Sequence, residues 1–388
     1  MSYPKVILKA GKEKSIQRRH PWVFSGAVYG VTQEINDGEM IDVVDSNNNH
    51  LGTGYFSDKG SIVVRILMFA KETFSETFWK EKLESAWELR LKLLDLEVTN
   101  AFRLIHGEGD GIPGLIIDYY DKNWVLQAHS SGIYYQIEKI AEAIKTNFPE
   151  HCTTVYCKSS GTLPNTGKDF FLFGDTTDTV AKENNILFAV NWVEGQKTGF
   201  FLDQRDNRKL LGEYAKGKKV LNTFCYTGGF SIYAMSAGAE LVTSVDISQK
   251  AVDLADKNMQ LNFPGSNHSP VASDVFEFMK EHTQQYDVIV LDPPAFAKSI
   301  KSKHTATQAY KRLNIAGLKA LAPKGILFTF SCSQVIDDVL FYNTVAAAAI
   351  ETGRNIRVLH KLSQGPDHPT NIYHPEGHYL KGLVLYVE

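Results

Sequence analysis

Two segments in the last third of the chain carry side chains that could act together on an aromatic ring. One apolar run ends in Asp292, Pro293 and Pro294, and a second ends at Cys332 between two serines. We predict that both runs are buried strands of one sheet, with a carboxylate and a thiol at neighbouring strand ends. A thiolate can add to an unreactive ring carbon, and a carboxylate can hydrogen-bond the ring as charge develops on it. Asp292 and Cys332 are therefore the predicted catalytic residues.

A series of strand-like segments must position these two side chains. The segments fall at 219–224, 241–246, 269–273, 287–292, 326–332, 355–360 and 382–387. Helical patterns lie between the first six, which predicts a mainly parallel sheet with helices on both faces. Only an irregular loop joins the last two.

A second candidate site follows the first two of these strands. In such a sheet, ligands bind beyond the carboxyl ends of the strands. Gly228 and Gly229 allow a tight turn after the first strand, and Asp246 ends the second, where it could accept the hydroxyls of a ribose. The turn lacks the Gly-x-Gly-x-x-Gly pattern that admits a pyrophosphate, so a nucleoside cofactor without pyrophosphate is favoured. Alternatively, Asp246 could simply cap the next helix.

These motifs resemble those of class I S-adenosylmethionine-dependent methyltransferases. The fullest resemblance, over nearly the whole chain, is to bacterial 23S rRNA 5-methylcytosine methyltransferases with an amino-terminal PUA domain; it includes the run from Lys197 to Arg205. It implies an α/β fold with three domains: a PUA-like RNA-binding β-barrel at 1–72, a central α/β domain at 73–193, and a Rossmann-like, seven-stranded methyltransferase domain at 194–388. That fold has an antiparallel seventh strand, which is consistent with the irregular loop between the last two predicted strands.

The resemblance also implies which residues bind S-adenosylmethionine. Asp274 would bind the adenine amino group, and Lys197 and Arg205 could pair with the methionine carboxylate. Arg205 and Arg208 could equally lie on a helix surface. The implied set is Asn222, Phe224, Tyr226, Gly228, Asp246, Ile247, Asp274, Val275, Asp292, Lys197, Gln204 and Arg205.

Three other interpretations stay open. Cys332 could be a packing residue, as buried free cysteines often are, and Cys225 is interpreted as one. An Asp-Pro-Pro motif is also typical of enzymes that methylate exocyclic amines, although Ala295 stands where the usual aromatic residue would follow and Phe296 comes one residue later. The enzyme could thus act on guanine or on an amine. A non-catalytic RNA-binding assembly factor is the third alternative. A small-molecule methyltransferase is disfavoured, because it would leave the basic barrel without a role.

RNA contacts are predicted at both ends of the chain. The first seventy residues alternate short apolar runs with turn signals, as expected for a small β-barrel, and their opening is strongly basic. A loop near the carboxyl terminus resembles a signature of the same family. The predicted contacts are Lys12, Arg18, Arg19, His20, Trp22, His368 and Lys381. A solvated basic terminus and an ordinary hairpin loop are the alternatives.

Bulk properties limit the class of protein. A chain of 388 residues exceeds the size of one hydrophobic core. Its net charge of −3 argues against a uniformly basic nucleic-acid binder but not against a local patch. No apolar run approaches the roughly 18 residues of a spanning helix, and the cytoplasm is the expected location. The 4 cysteines are too scattered for a disulfide framework and are expected to be reduced.

Metal binding is not predicted from the sequence. His374 and His378 have the spacing of a helical metal-binding pair, but Pro375 and Gly377 between them exclude that helix. Ribosomal RNA of the large subunit is the expected partner and a membrane is not. The oligomeric state is open, and a homodimer is one candidate.

Overall fold

The computed structural model describes residues 3–69, 74–297 and 299–388. The predicted boundary between residues 72 and 73 lies outside the described residues. The chain forms two compact units. Unit 1 comprises Met1–Lys182, Val190–Leu202 and Pro366–Gly377, and unit 2 comprises Glu183–Ala189, Asp203–Gly365 and His378–Glu388.

Unit 1 begins with a six-stranded sheet in the order β2-β6-β5-β4-β1-β3. Alternate residues of its strands, among them Val6, Leu8, Ile41 and Val43, are buried in one core, as the period of two requires. The elements are β1 (Lys5–Leu8), α1 (Lys14–Gln17), β2 (Trp22–Phe24), β3 (Val28–Val31), β4 (Met40–Val44), β5 (His50–Phe56) and β6 (Ile62–Phe69).

A second sheet of five strands follows, in the order β11-β10-β9-β8-β7. Its core includes Trp87, whose ring stacks on that of Trp124 with centroids 5.6 Å apart. Asp121 and Lys122 both have positive φ angles, which is typical of a tight two-residue hairpin turn. The elements are α2 (Phe78–Leu93), β7 (Ala101–His106), β8 (Leu115–Tyr120), β9 (Asn123–Ala128), α3 (Ser131–Tyr134), α4 (Ile137–Asn147), β10 (Thr154–Lys158) and β11 (Asp169–Phe173).

A two-stranded hairpin, β12 (Asp178–Glu183) and β13 (Ile186–Asn191), then leads into the sheet of unit 2. That sheet has seven strands in the order β16-β15-β14-β17-β18-β20-β19, and β20 runs antiparallel to the other six. The predicted doubly wound sheet and its reversed last strand are thus confirmed. Its strands are β14 (Lys219–Thr223), β15 (Leu241–Asp246), β16 (His268–Ala272), β17 (Tyr286–Leu291), β18 (Leu321–Ser331), β19 (Ile356–Leu362) and β20 (Lys381–Val387).

Helices cover both faces of this sheet, which explains why the central strand β17 reads as an unbroken apolar run from Val288 to Leu291. The helices are α5 (Arg205–Ala215), α6 (Gly229–Ser236), α7 (Gln249–Asn262), α8 (Val275–Glu281), α9 (Lys303–Ala320) and α10 (Asp338–Thr352). Within the three described ranges, every helix is too short or too polar to cross a lipid bilayer.

The predicted strand boundaries lie within two residues of the observed ones except at the start of β18. Strand β18 begins at Leu321 rather than at residue 326, because Leu321 pairs with Tyr286. Pro323 and Lys324, which are typical turn residues, lie where the register of the ladder shifts. Strand β16 ends at Ala272, so Asp274 lies beyond the strand rather than at its end.

Candidate active site

The candidate site lies at one edge of the unit 2 sheet. Strand β17 runs parallel to both neighbours, and Leu291 pairs with Thr223 of β14 on one side and Thr329 of β18 on the other. Because parallel strands end at the same edge, the residues after β14, β17 and β18 come together. Asp292 follows Leu291 directly, and Cys332 follows the last residue of β18.

The thiol of Cys332 lies against the Asp-Pro-Pro segment. Its Sγ atom is 4.0 Å from the carbonyl oxygen of Pro293, and both Cys332 and Asp292 are partly exposed. The next residue, Ser333, is buried and its hydroxyl accepts a hydrogen bond from the backbone amide of Ala297 at 3.3 Å. The two segments predicted to act together are therefore adjacent and joined by a hydrogen bond.

An open cavity of about 240 Å³ adjoins the thiol. One wall is formed by Tyr379, whose hydroxyl donates to the carboxylate of Asp203 at 2.7 Å. The remaining lining residues are Ala297, Cys332, Ser333, Gln334 and Val335. A planar ring entering here would approach Cys332 from the exposed side.

The turn after β14 has a strained backbone. Phe224 and Tyr226 have φ angles of 54° and 45°, in the left-handed region that non-glycine residues rarely adopt. Gly228 has a φ of 76°, and a Cβ atom there would come within 2.9 Å of the Cβ of Ala255. Strain of this kind is concentrated at ligand sites, and α6 begins immediately after it.

Asp246 at the end of β15 faces this turn. Its Oδ2 accepts from the backbone amide of Tyr226 at 3.2 Å and its Oδ1 from that of Ser248 at 3.0 Å. The residue that caps α7 is Ser248, so Asp246 is not the cap. A partly exposed carboxylate with about four acceptor positions keeps room for two hydroxyls, which fits the ribose of a nucleoside cofactor.

Comparison with known proteins decides the family. Residues 6–69 match the PUA-like domain model, and residues 165–376 match the model of S-adenosylmethionine-dependent methyltransferases. A protein of Pseudoalteromonas atlantica named ribosomal RNA large subunit methyltransferase I is 40% identical over 393 residues, which cover 99% of each chain. One of the same name from Alteromonas mediterranea is 41% identical over 98% of each chain. This chain belongs to that family of S-adenosylmethionine-dependent methyltransferases.

Solved structures agree with this assignment. A protein of Streptococcus mutans, described as a candidate S-adenosylmethionine-dependent methyltransferase, is 25% identical and superposes with a TM-score of 0.86 over 100% of both chains. A structure of a candidate methyltransferase in complex with S-adenosylhomocysteine has the same identity, coverage and TM-score. The predicted class I fold, the preceding PUA-like domain and the S-adenosylmethionine cofactor are confirmed.

Several further residues predicted to bind the cofactor line the same edge of the methyltransferase sheet. Ile247 is 77% exposed beside Asp246, an unusual position for isoleucine. Asn222 is buried and its amide donates to the hydroxyl of Ser231 at 2.9 Å. Asp274 caps α8, with Oδ1 accepting from two backbone amides, and Val275 behind it is buried. The cap uses only Oδ1, so Oδ2 is the atom that would accept the predicted hydrogen bond from the adenine amine.

The two arginines in the first turn of α5 contradict one of the alternatives left open by the sequence. Arg205 and Arg208 are buried rather than on a helix surface, and Arg208 forms a two-point ion pair with Glu183 at 2.6 and 2.8 Å. Gln204 is buried as well and accepts from Asn207 at 2.7 Å. Lys197 belongs to unit 1, is exposed, and has its ammonium 4.4 Å from the ring centroid of Phe201.

Lys381 is buried, which corrects the expectation of a direct RNA contact. Its amine donates to the carbonyl oxygens of Ser333 at 2.9 Å and Tyr379 at 2.7 Å. Burial lowers the pKa of Lys381, while Asp338 and the Cys332 thiolate raise it. Sequence reasoning missed this cation beside the thiol, because only the pairing of β20 with β18 brings the two residues together.

The other cysteine near the turn has a different environment. Cys225 is buried, and burial together with the charge of Asp246 raises the pKa of its thiol. A thiol of this kind stays protonated at neutral pH and is a poor nucleophile. This environment agrees with the interpretation of Cys225 as a packing residue.

The residues predicted to contact RNA are divided between surface and interior. Lys12, Arg18 and Arg19 are exposed. Trp22 donates its indole N–H to Glu108 at 2.7 Å, and His20 is partly buried next to it. His368 is also buried, with its Nδ1 3.2 Å from a carboxylate oxygen of Asp367, so it is not available as a surface contact. The three exposed cations are the remaining candidates.

Proposed function

We propose that this methyltransferase forms 5-methylcytosine in large-subunit ribosomal RNA, with Cys332 as the nucleophile. The names of its relatives and the PUA-like domain support ribosomal RNA as the substrate. The observation that carries the cytosine assignment is the contact between the Cys332 thiol and Pro293 of the Asp-Pro-Pro segment. Carbon methylation of cytosine needs such a thiol, whereas methylation of an amine does not.

In the proposed reaction the Cys332 thiolate adds to carbon 6 of the ring, and the new sulfur–carbon bond makes carbon 5 nucleophilic. S-adenosylmethionine supplies a sulfonium-bound methyl group, which carbon 5 takes as the carbon–sulfonium bond breaks. The carbon 5 proton then passes to water, the electron pair of that bond restores the ring double bond, and the thiolate leaves. Asp292 hydrogen-bonds ring nitrogen 3 and the exocyclic amine as charge builds on the base.

Methylation of an exocyclic amine is less well supported. That chemistry normally stacks an aromatic side chain directly after the Asp-Pro-Pro motif on the base. Here Ala295 takes that place, and the ring of Phe296 packs on Tyr310 with centroids 4.7 Å apart. Phe296 is partly buried by this packing, which leaves less of its ring to stack on a base.

RNA binding is assigned to the exposed cations at the start of unit 1. Lys12, Arg18 and Arg19 lie within eight residues of one another and are exposed. Such a cluster can contact successive phosphates, whose neutralisation releases counterions and makes affinity salt-dependent. The acidic net charge of −3 makes this local patch the more important for directing RNA to the protein.

The substrate can be identified by mass mapping of 23S rRNA from cells that have and lack this protein. We expect one cytosine to lose a single methyl group in the deletion strain, and to regain it when the wild-type gene is returned. Return of the Cys332→Ala variant should leave that cytosine unmodified. A methyl group lost from a guanine or from an exocyclic amine would reject the proposal.

A further inference from the structure

One buried histidine of unit 1 lacks the partners that a buried polar side chain needs. His374 is 3% exposed, yet neither of its ring nitrogens has a hydrogen-bond partner within the described part of the chain. Buried polar atoms are paired in nearly all native structures, and an exception calls for an explanation such as a bound ion. The orphaned imidazole therefore directs attention to what surrounds it.

Two further metal-ligating side chains converge on His374. Nε2 of His20 lies 3.5 Å from one carboxylate oxygen of Glu376, and Nε2 of His374 lies 3.8 Å from the other. One ligand atom from each of the three residues can be chosen so that all lie within 4.8 Å of one another. Bonds of about 2.0–2.2 Å in a tetrahedron place ligand atoms about 3.3–3.6 Å apart, so the most widely separated atoms of the cluster must move about 1 Å closer to enclose a cation.

The surroundings of the two histidines suit metal ligation. Nδ1 of His20 is 3.4 Å from the carbonyl oxygen of Trp22 and 3.3 Å from its backbone nitrogen, so the two tautomers of His20 use Nδ1 differently. With the proton on Nδ1, the ring donates to that carbonyl oxygen and leaves Nε2 with a free lone pair, which is the tautomer that a cation at Nε2 requires. Metal-bound histidines are typically oriented by such a second hydrogen bond. The ring of Trp22 packs edge-on against His374 with centroids 4.3 Å apart, and its indole is fixed by Glu108.

We propose that His20, His374 and Glu376 bind a divalent cation of the zinc class as a structural clamp in unit 1. Two imidazoles and one carboxylate form a common zinc ligand set, and the half-exposed Glu376 side chain leaves the fourth position to water. The clamp joins the start of β2 to the segment Pro366–Gly377. The sequence prediction of no metal considered the cysteines and the pair His374 and His378, and it did not consider His20.

The test uses the full chain, freed of metal by a chelator and titrated with Zn²⁺ alone by calorimetry. We expect one equivalent to bind and to raise the midpoint of thermal unfolding. Glu376→Gln and His20→Gln should weaken binding at least tenfold and abolish that rise, whereas Glu277→Gln and His304→Gln, which alter exposed residues elsewhere, should change neither. Glu376 is half exposed, so its substitution should not prevent folding. Unchanged affinity in both ligand variants would overturn the proposal.

Cobalt provides a second, spectroscopic test. Co²⁺ bound by two histidines and a carboxylate should give visible absorption without the strong near-ultraviolet band of a cobalt–thiolate bond. This spectrum should disappear in Glu376→Gln and persist in Glu277→Gln. A thiolate band in the wild type would place the cation at a cysteine and reject the proposed site.

Discussion

Lys381 of β20 pairs with Ser331 of β18, one residue before Cys332 in the chain. The pairing holds the buried ammonium where it donates to the carbonyl of Ser333, on the other side of the thiol in sequence. A cation in this position favours the thiolate form of cysteine. Lys381 and Ser331 are 50 positions apart in the sequence (381 − 331), and the antiparallel ladder makes them neighbours.

We expect Lys381→Met to shift the pH dependence of methylation towards alkaline pH by about one unit. Loss of the ammonium removes a positive charge that interacts with the Cys332 thiolate, so a higher pH should be needed to form the same fraction of thiolate. Activity should fall most below neutral pH and recover as pH rises. The measurement is kcat/KM against pH, together with the alkylation rate of Cys332; Lys319→Met, an exposed substitution on α9, is the control. An unshifted profile would mean that Lys381 acts only structurally.

Asp246→Asn should weaken S-adenosylhomocysteine binding by roughly 10- to 100-fold, because hydrogen bonds to a charged acceptor contribute about 1.5–3 kcal/mol. Calorimetry measures this directly without turnover. Asp253→Asn on the exposed face of α7 is the matched control and should bind normally. Equal affinity in the two variants would show that the ribose is held elsewhere.

Gly228→Ala should destabilise the protein by about 1–3 kcal/mol, because the left-handed backbone and the approach of Ala255 both oppose a Cβ atom. Urea unfolding of both variants would measure the loss. Gly161→Ala, at a position with open space and no positive φ, should change stability little. Equal stability of Gly228→Ala and Gly161→Ala would contradict this prediction, because it would mean that the turn at Gly228 accommodates a Cβ atom without loss of stability.

Glu183→Ala should cost about 3–5 kcal/mol of unfolding free energy, because it leaves the buried guanidinium of Arg208 without its carboxylate. Glu277 forms an exposed ion pair with Lys280. Glu277→Ala should therefore lower the free energy of unfolding by less than about 1 kcal/mol. The comparison by chemical denaturation separates a buried pair from a surface one. Similar losses in the two variants would contradict the structural interpretation.

Much of the methyltransferase fold follows from local patterns. The apolar run of β17 and the glycines after β14 are readable in sequence because both are determined by nearby residues. The same holds for Asp246, which is placed by the end of its own strand. The adjacency of Asp292 and Cys332 is predictable because parallel strands end at the same edge of a sheet.

Contacts between segments that are distant in the sequence could not be predicted from local patterns. Nothing near Lys381 in the sequence indicates that its amine is buried beside a thiol, and the basic, exposed character of lysine favours the surface. Arg208 and Glu183 likewise look like surface charges until the fold buries them together. His20 lies beside His374, with ring centroids 5.4 Å apart, because the segment Pro366–Gly377 near the end of the sequence is part of unit 1.

The central claim is that Cys332 is the covalent nucleophile. Target RNA that carries 5-fluorocytosine should trap a protein–RNA adduct with the wild type, since fluorine cannot leave carbon 5 as the proton does. Cys332→Ala should bind S-adenosylhomocysteine and RNA normally but form no adduct and no product. Cys152→Ala should behave as the wild type, because burial raises the pKa of that thiol to about 11. An adduct that forms equally with Cys332→Ala, or methylation by that variant, would contradict the thiol mechanism.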